Sequence, residues 1–438
     1  MAVKRKSSPQ RRTRTTEAEG WIVPDQMQAL VLDGTGFDHL AVRTVPTPRP
    51  GPSQLLARVD AAGVCSSMIK IIEQGPRHPM LYGRDVATYP LVLGDEGSIT
   101  LVGIGERLRE RYRLGERYVI QAAVDGAPIN HLERYANGGR GIERLGVGYT
   151  LPGHLAEYIL VGEEILEAKC LLPIANRPIP YAHAAMGEPL ACVISAQDHH
   201  MHLIQANPLS QREVLKGLRP DGVTVVIGAG TMGRMHVDLA MSFHPRVIVS
   251  ADHHDERLAQ VQDLFGARAR RVGTALHTVN SLSTDLREFV NDLTKGRGAD
   301  DVIVAVGSAA AIQGAQELLA RYAVLHVFGS LKQGEDNVAL NLTIAHYRET
   351  NLTGSAGGTP WDIARSLELM AAGEIDPGAH ITRIGDLCHV KDFLHMVKER
   401  RIDGKAVIYP HRRSGRIREV RSWSAEDERA YLGRCAEA

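Results

Sequence analysis

Val223-Thr-Val-Val-Ile-Gly228-Ala-Gly230-Thr231-Met232-Gly233 is the stretch that decides the fold. A short β-branched run reads as a buried strand. It leads straight into glycines spaced G-x-G-x-x-G. The first glycine permits a tight turn. The second lets the backbone approach a pyrophosphate, and the third lets the next helix pack closely on the strand. That helix begins at Thr231 and Met232. Its free N–H groups and the positive end of its dipole favour an anion. The segment therefore predicts a dinucleotide site.

The residues downstream fit that reading. A second strand over residues 247–250 leads to Asp252, about 20 residues past the glycines, where an acid holds the adenosine ribose and disfavours a 2′-phosphate. NAD is the expected dinucleotide. His253 and His254 beside the acid leave NADP open. The plainer alternative has Asp252 capping the helix that starts near Asp255 and carries Arg257. Further strands at residues 301–306 and 324–328 alternate with helical stretches at 255–265 and 309–319. That alternation predicts an α/β fold, a doubly wound parallel sheet of Rossmann type. The strand-end loops Val306-Gly307-Ser308 and Phe328-Gly329-Ser330 are expected to border the nicotinamide.

Upstream, short apolar runs at residues 55–59, 91–93, 98–102 and 118–122 are separated by Gly and Pro turns, the pattern of a small irregular β-barrel. The domains expected are a disordered basic tail over 1–20, a catalytic domain over 21–190 and a dinucleotide-binding domain over 191–353. Residues 354–411 return to the catalytic domain, and 412–438 form a C-terminal tail. Trp423, Tyr431 and Leu432 give that last tail the makings of a short docking helix.

Composition sets outer bounds. The 438 residues are 44% hydrophobic and 23% charged, which excludes a disordered chain. Basic and acidic residues balance at 51 each, so nothing in the net charge argues for nucleic acid or membrane as a partner. Five scattered cysteines make an odd number, and none lie close together, which argues against a disulfide framework and for a cytoplasmic protein. No apolar run is long enough to span a bilayer. Arg11-Arg12 has no apolar segment after it, so an export signal is not expected.

Three segments ahead of the glycines carry reactive side chains: Gly63-Val-Cys65-Ser66-Ser67-Met-Ile-Lys70, Leu93-Gly94-Asp95-Glu96-Gly97 and Gly187-Glu188-Pro189-Leu190. A thiolate with carboxylates is a zinc-type donor set, and one open position makes such a site catalytic. Singly, each has a plainer reading. A cysteine after a strand is a small core residue, an Asp-Glu pair on a Gly-flanked loop is a solvated turn, and a Glu before Pro starts a helix.

Over about residues 22–410 the order and spacing resemble the medium-chain dehydrogenase/reductase superfamily, the zinc alcohol and polyol dehydrogenases. That family carries G-x-C-x-S after an early strand, then G-H-E, then a Glu or Cys near the domain junction, then the nucleotide fingerprint. Within it, the sequence is most similar to L-sorbose-1-phosphate reductase-like and sorbitol dehydrogenase-like members. Lys70 stands where His is usual, and Glu188-Pro189 is the polyol-type third ligand motif. Arg257-Leu-Ala-Gln-Val-Gln262 follows the ribose acid, and His346-Tyr347 precedes Thr353-Gly-Ser-Ala-Gly-Gly358.

The resemblance implies a GroES-like β-barrel catalytic domain beside the Rossmann domain, and a homo-oligomer, dimer or tetramer. It implies that Cys65 ligates a catalytic zinc and that Glu188 completes the site directly or through water. Ser67 relays the alcohol proton, and Glu96 is a neighbouring or exchanging ligand. Lys70 ends the relay near the nicotinamide ribose or holds an anionic substrate group.

Two departures stand out. Asp95 replaces the family's His. A carboxylate also binds zinc, but a thiolate and two carboxylates put three negative charges on a dication, which raises the pKa of a bound alcohol or water. The alternative is that the metal is lost and Asp95 is a polar cleft residue. The family's structural zinc lobe falls over residues 121–150, which hold no cysteine. No structural zinc is expected, and this segment is free to shape the substrate mouth or an oligomer contact.

The expected reaction is hydride transfer between a nicotinamide and a secondary alcohol or ketone. Lys70, Arg84, His346 and Arg348, taken together, favour a sugar, polyol or cyclitol, phosphorylated or not. Two alternatives stay open. One is a zinc-free reductase acting on activated carbonyls, enones or quinones. The other is a non-catalytic dinucleotide-binding scaffold or sensor.

Overall fold

The computed structural model describes residues 21–331 and 334–433. The basic tail expected over residues 1–20 lies outside them.

The first domain is built on strand Leu55–Val64, whose side chains are buried almost throughout. It pairs antiparallel with Gly97–Ile104, Tyr158–Val161 and Lys405–Ile408 within an eight-stranded sheet. A three-stranded sheet packs beside it in the order Leu40–Pro46, Gln26–Leu32, Leu91–Val92. One apolar core fills the space between, with Leu55, Ile99, Leu101 and Ile408 at its centre.

Register here places chemistry. Ala62 pairs with Gly97, and the N–H of Gly63 donates to the carbonyl of Glu96 at 3.1 Å. Ala406 pairs with Val64. Cys65 and Lys405 therefore leave adjacent strand ends on the same side as Glu96. Gly63 has no Cβ for a reason: one built there would collide with the Glu96 carboxylate.

The second domain is a six-stranded parallel sheet. In spatial order its strands are Ala275–Asn280, Val247–Asp252, Val223–Ile227, Ala299–Val304, Leu319–Val327 and Asn351–Gly354. The chain starts in the middle, winds one way, then reverses, which opens a crevice at the strand ends beside Val223–Ile227. Alternation feeds both faces: Val225, Val249 and Val302 enter one helix-covered core, while Val226, Ile248 and Ile303 enter the other.

Several expected boundaries shift. The second crossover helix runs Asp255–Val272, because Ala269 continues the buried stripe of Leu258, Val261 and Phe265 until Gly273 stops it in a left-handed conformation. The fourth strand is Ala299–Val304, so Val306 lies in the loop beyond it. The helix expected to reach residue 319 ends as Ala309–Ala315 with one 3₁₀ turn, and Leu319 already begins the next strand. The 121–150 segment forms the hairpin Ala123–Asp125 with Arg144–Gly146.

A hairpin of Met201–Ile204 and Glu213–Lys216, not foreseen in the sequence, follows helix Gly187–Asp198. The C-terminal residues dock through helix Ala425–Gly433, with Trp423 and Tyr431 buried against Tyr409. Glu428 accepts the N–H groups of Tyr181 and Ala182 at 2.7 Å each and the Tyr409 hydroxyl at 2.8 Å. It thereby satisfies the first turn of helix Tyr181–Ala185.

Candidate active site

Two cavities meet between the domains. One, of about 590 Å³, lies over the glycine turn and is lined by Gly228, Gly230, Thr231, Met232, Gly233, Asp252, Arg257, Val306 and Gly307. The other, of about 370 Å³, is lined by Cys65, Ser67, Asp95, Glu96, Glu188 and Lys405. Ser66, Thr231 and Met232 border both, so the two form one continuous cleft.

The glycine turn has the shape that a pyrophosphate needs. Gly228 holds φ at 105°, which strains any other residue. A Cβ at Gly233 would run into the Gly228 carbonyl, so helix and strand touch there. At Gly230 a Cβ would meet nothing within 4 Å, which leaves the backbone open to a ligand. Asp252 Oδ2 accepts the Ala229 N–H at 2.7 Å, and Oδ1 takes the His254 N–H at 3.0 Å and its ring at 2.8 Å. Burial opposes the charge on Asp252, but these bonds and the nearby Arg257 outweigh it and hold its pKa below the ordinary value. Gly329 abuts Val306 and Gly307 without lining the cavity. Ser330 Oγ accepts from Lys70 Nζ at 2.5 Å, a contact between the domains.

In the second cavity, donor atoms of Cys65, Asp95 and Glu96 all lie within 4.8 Å of one another. Glu188 and Cys192 project from one face of helix Gly187–Asp198, with Cys192 Sγ 3.4 Å from Glu188 Oε1. Ser67 Oγ donates to Asp95 Oδ2 at 2.8 Å, and Lys405 Nζ donates to Glu96 Oε1. The remaining oxygens, Asp95 Oδ1 and Glu96 Oε2, are buried with no partner. Burial, then the Asp95 charge, pushes the Cys65 thiol up. Burial and Glu96 push Asp95 up to about 6, and burial with Asp95 and Glu96 raises Glu188. One ammonium thus faces a thiol and three carboxyls. Two orphaned oxygens and a thiol, crowded by like charge, are a donor set that fits a divalent cation.

The sequence reading missed Lys405 and Tyr149. Only the strand register reveals Lys405. Tyr149 lines the cavity from the segment expected to shape its mouth, and burial followed by Asp95 raises its pKa, so it stays a donor. Three expected cleft cations are elsewhere. Arg84 is buried and donates to the carbonyls of Tyr89, Pro90 and Thr150. Arg348 donates to the Leu319 carbonyl, and His346 is exposed on helix Leu342–Arg348. The two arginines hold backbone carbonyls, and His346 faces solvent. Of that group only Lys70, at the domain junction, stays beside the cleft.

Comparison with known proteins agrees with this geometry. Residues 51–170 match the alcohol dehydrogenase GroES-like domain, and residues 231–372 match the zinc-binding dehydrogenase domain. Mannitol-1-phosphate 5-dehydrogenase of Aliivibrio fischeri is 28% identical over 86% of this chain and 85% of its own. L-sorbose 1-phosphate reductase of Klebsiella pneumoniae is 27% identical over 80% of each. The structure of galactitol-1-phosphate dehydrogenase from Escherichia coli superposes with a TM-score of 0.66 at 18% identity, covering 88% of this chain and all of that one (100%). With both domains matched in order, the chain belongs to the zinc-type medium-chain dehydrogenase/reductase superfamily and is an NAD(P)-dependent oxidoreductase of the alcohol dehydrogenase type.

Proposed function

We propose that the enzyme interconverts a secondary alcohol and a ketone on a polyol or sugar, preferentially a phosphorylated one, with NAD. The observation that carries this reading is the shared border of the two cavities at Ser66, Thr231 and Met232. A dinucleotide over the glycine turn meets a substrate over the thiol–carboxylate cluster across that border, which is the proximity that hydride transfer requires.

The roles follow from the contacts. Gly228, Gly230, Gly233, Thr231 and Met232 cradle the pyrophosphate. Asp252, already anchored by Ala229, takes the ribose and repels a 2′-phosphate. Val306 and Gly307 line the nicotinamide end, with Gly329 and Ser330 packed behind them. Cys65, Asp95 through its free Oδ1, and Glu188 hold one catalytic zinc, with Glu96 as neighbour or exchanging ligand. When bound, that zinc supplies Lewis acidity to the substrate oxygen. Ser67 accepts the alcohol proton while its own hydrogen faces Asp95 Oδ2. Lys70 is the cation for an anionic substrate group, a reading supported by relatives named for sugar and polyol phosphates.

In this reading the domains divide near residues 190 and 353, which puts the boundaries inside helix Gly187–Asp198 and strand Asn351–Gly354. A homo-oligomer is supported by the open sheet edge Asn351–Gly354, where Leu352 is exposed beside Tyr347 and Leu342. No helix among the described residues is long and apolar enough to cross a membrane. The scattered cysteines favour the cytoplasm.

Zinc analysis of the wild type and the Cys65→Ala and Asp95→Ala variants, followed by a screen of polyols and their phosphates with NAD, tests the reading. One zinc per chain fewer in each variant than in the wild type, with faster turnover of a phosphate than of its parent polyol, is the expected result. Equal turnover removes the anion role of Lys70. A zinc-free, polyol-inactive protein overturns the reading.

A further inference from the structure

Away from the cleft, His200, His202 and Asp301 bring three ligand atoms within 4.8 Å of one another, and all three side chains are fully buried. They come from three parts of the fold. His200 follows helix Gly187–Asp198, His202 lies on hairpin strand Met201–Ile204, and Asp301 lies on sheet strand Ala299–Val304. Asp301 Oδ1 is 2.6 Å from His200 Nδ1 and 2.8 Å from His202 Nε2. Its Oδ2 accepts the Arg219 N–H at 2.9 Å.

The second nitrogen of His202, Nδ1, lies 3.2 Å from the Tyr322 carbonyl. A carbonyl only accepts, so Nδ1 carries the proton. Nε2 then meets the carboxylate with either a second proton or a lone pair directed at a cation. His200 Nε2 is buried with no partner, so the Asp301 carboxylate alone holds the proton on Nδ1, and a cation bound there would move that proton to Nε2.

We propose that His200, His202 and Asp301 supply three ligands of a second, buried metal site for one divalent cation of the zinc class, with the fourth position left to a water. Two imidazoles and a carboxylate are a borderline nitrogen–oxygen donor set that suits such an ion. A ligating histidine whose other nitrogen donates to a backbone carbonyl is the usual supporting arrangement. Bonds of about 2.0–2.1 Å in a tetrahedron separate ligand atoms by roughly 3.3 Å. The observed contacts of 2.6 and 2.8 Å are shorter, so the ligand atoms must move apart to admit the ion. The cation's charge answers Asp301, which is buried next to Asp300; Arg297 and Arg219 pair with Asp300 from outside. Its mechanical effect is to pin the Met201–Lys216 hairpin to the sheet.

None of these residues lines the cleft, so the test is separable from the catalytic reading. The full chain with Cys65→Ala, loaded with zinc and freed of excess, is expected to keep about one zinc per chain. Adding His202→Gln, or Asp301→Asn should that variant fold poorly, is expected to remove it. Cobalt in Cys65→Ala is expected to give tetrahedral d–d absorption with no thiolate charge-transfer band. Chelation is expected to lower the melting temperature of Cys65→Ala. Absence of zinc from Cys65→Ala with chelator-insensitive melting overturns the proposal and leaves an imidazolium–carboxylate clamp. Zinc persisting in both double variants overturns it too. The cleft metal is read separately, from the difference between wild type and Cys65→Ala.

Discussion

Lys405 and Glu96, 309 residues apart in the chain, form an ion pair buried beside the Cys65 thiol. It supplies the one ammonium that faces the cleft's acidic groups. Burial alone would depress the Lys405 pKa, yet Glu96 and Cys65 raise it, so the charge is held firmly. Removing one partner of such a pair leaves the other charge buried and costs about 3–5 kcal/mol. Lys405→Met is expected to lower stability by that order, seen as a lower denaturant midpoint. Adding Glu96→Gln is expected to restore most of it. A single variant that unfolds with the wild type would remove the assigned role.

Gly230 and Gly233 differ in what surrounds them, and their alanine variants should separate binding from folding. Gly230→Ala meets open space, so the apo protein should melt normally while its NAD dissociation constant rises at least about tenfold, roughly 1.4 kcal/mol. Gly233→Ala drives a methyl into the Gly228 carbonyl and should lower the melting temperature as well. Calorimetric titration with NAD beside a thermal melt distinguishes the two.

Asp252 is expected to set dinucleotide choice. Asp252→Ser removes the charge that repels a 2′-phosphate and leaves His254 and Arg257 in place. The ratio of kcat/KM for NADP over NAD should rise about 100-fold, on the order of 2.7 kcal/mol. Part of that change should come from weaker NAD use, because the Ala229 N–H loses its carboxylate acceptor. An unchanged ratio would mean that discrimination lies elsewhere.

Asp60 should make stability fall with rising pH. It is buried, and that burial pushes its pKa up to about 6 against the opposing Thr100 hydroxyl and Arg58. An unfolded Asp titrates near about 3.9. Between those values the folded state holds the proton more tightly, so stability is greatest below about pH 4 and declines as pH rises to about 6. The loss for this group is about 3 kcal/mol. Buried His154, His411 and His326, whose pKa values burial lowers, act in the opposite direction, so the readout is the difference: the stability of wild type relative to Asp60→Asn, from chemical denaturation, should fall as pH rises across that range.

Much of this was legible in the sequence because it depends on local chemistry. The glycine spacing and the Val223–Ile227 run specify a strand, a turn and a helix within a few residues of each other, and Asp252 follows at a fixed crossover distance. Cys65, Asp95, Glu96 and Glu188 were legible as reactive types on short motifs, and the fold brings them to one cavity. Lys405 was not, because its position depends on an antiparallel register between the start and the end of the chain. Arg84, His346 and Arg348 misled for the opposite reason. A charged residue's type says nothing about whether a backbone carbonyl lies nearer than the cleft. The His200–His202–Asp301 cluster joins a hairpin turned at Asn207-Pro208 to the middle of a sheet, a meeting that no local pattern specifies.

Strand Lys405–Ile408 lies between Leu55–Val64 and Ile381–Gly385 in the first domain's sheet. During synthesis the ribosome delivers it after the whole parallel sheet. A nascent chain ending at residue 354 already holds every strand of the parallel sheet, so the nucleotide half can form early from contacts close in sequence. The cleft cannot, because its ammonium and one wall of its barrel have not yet been made. The order of translation therefore keeps the acidic pocket unassembled, and chemically idle, until strand Lys405–Ile408 has been made.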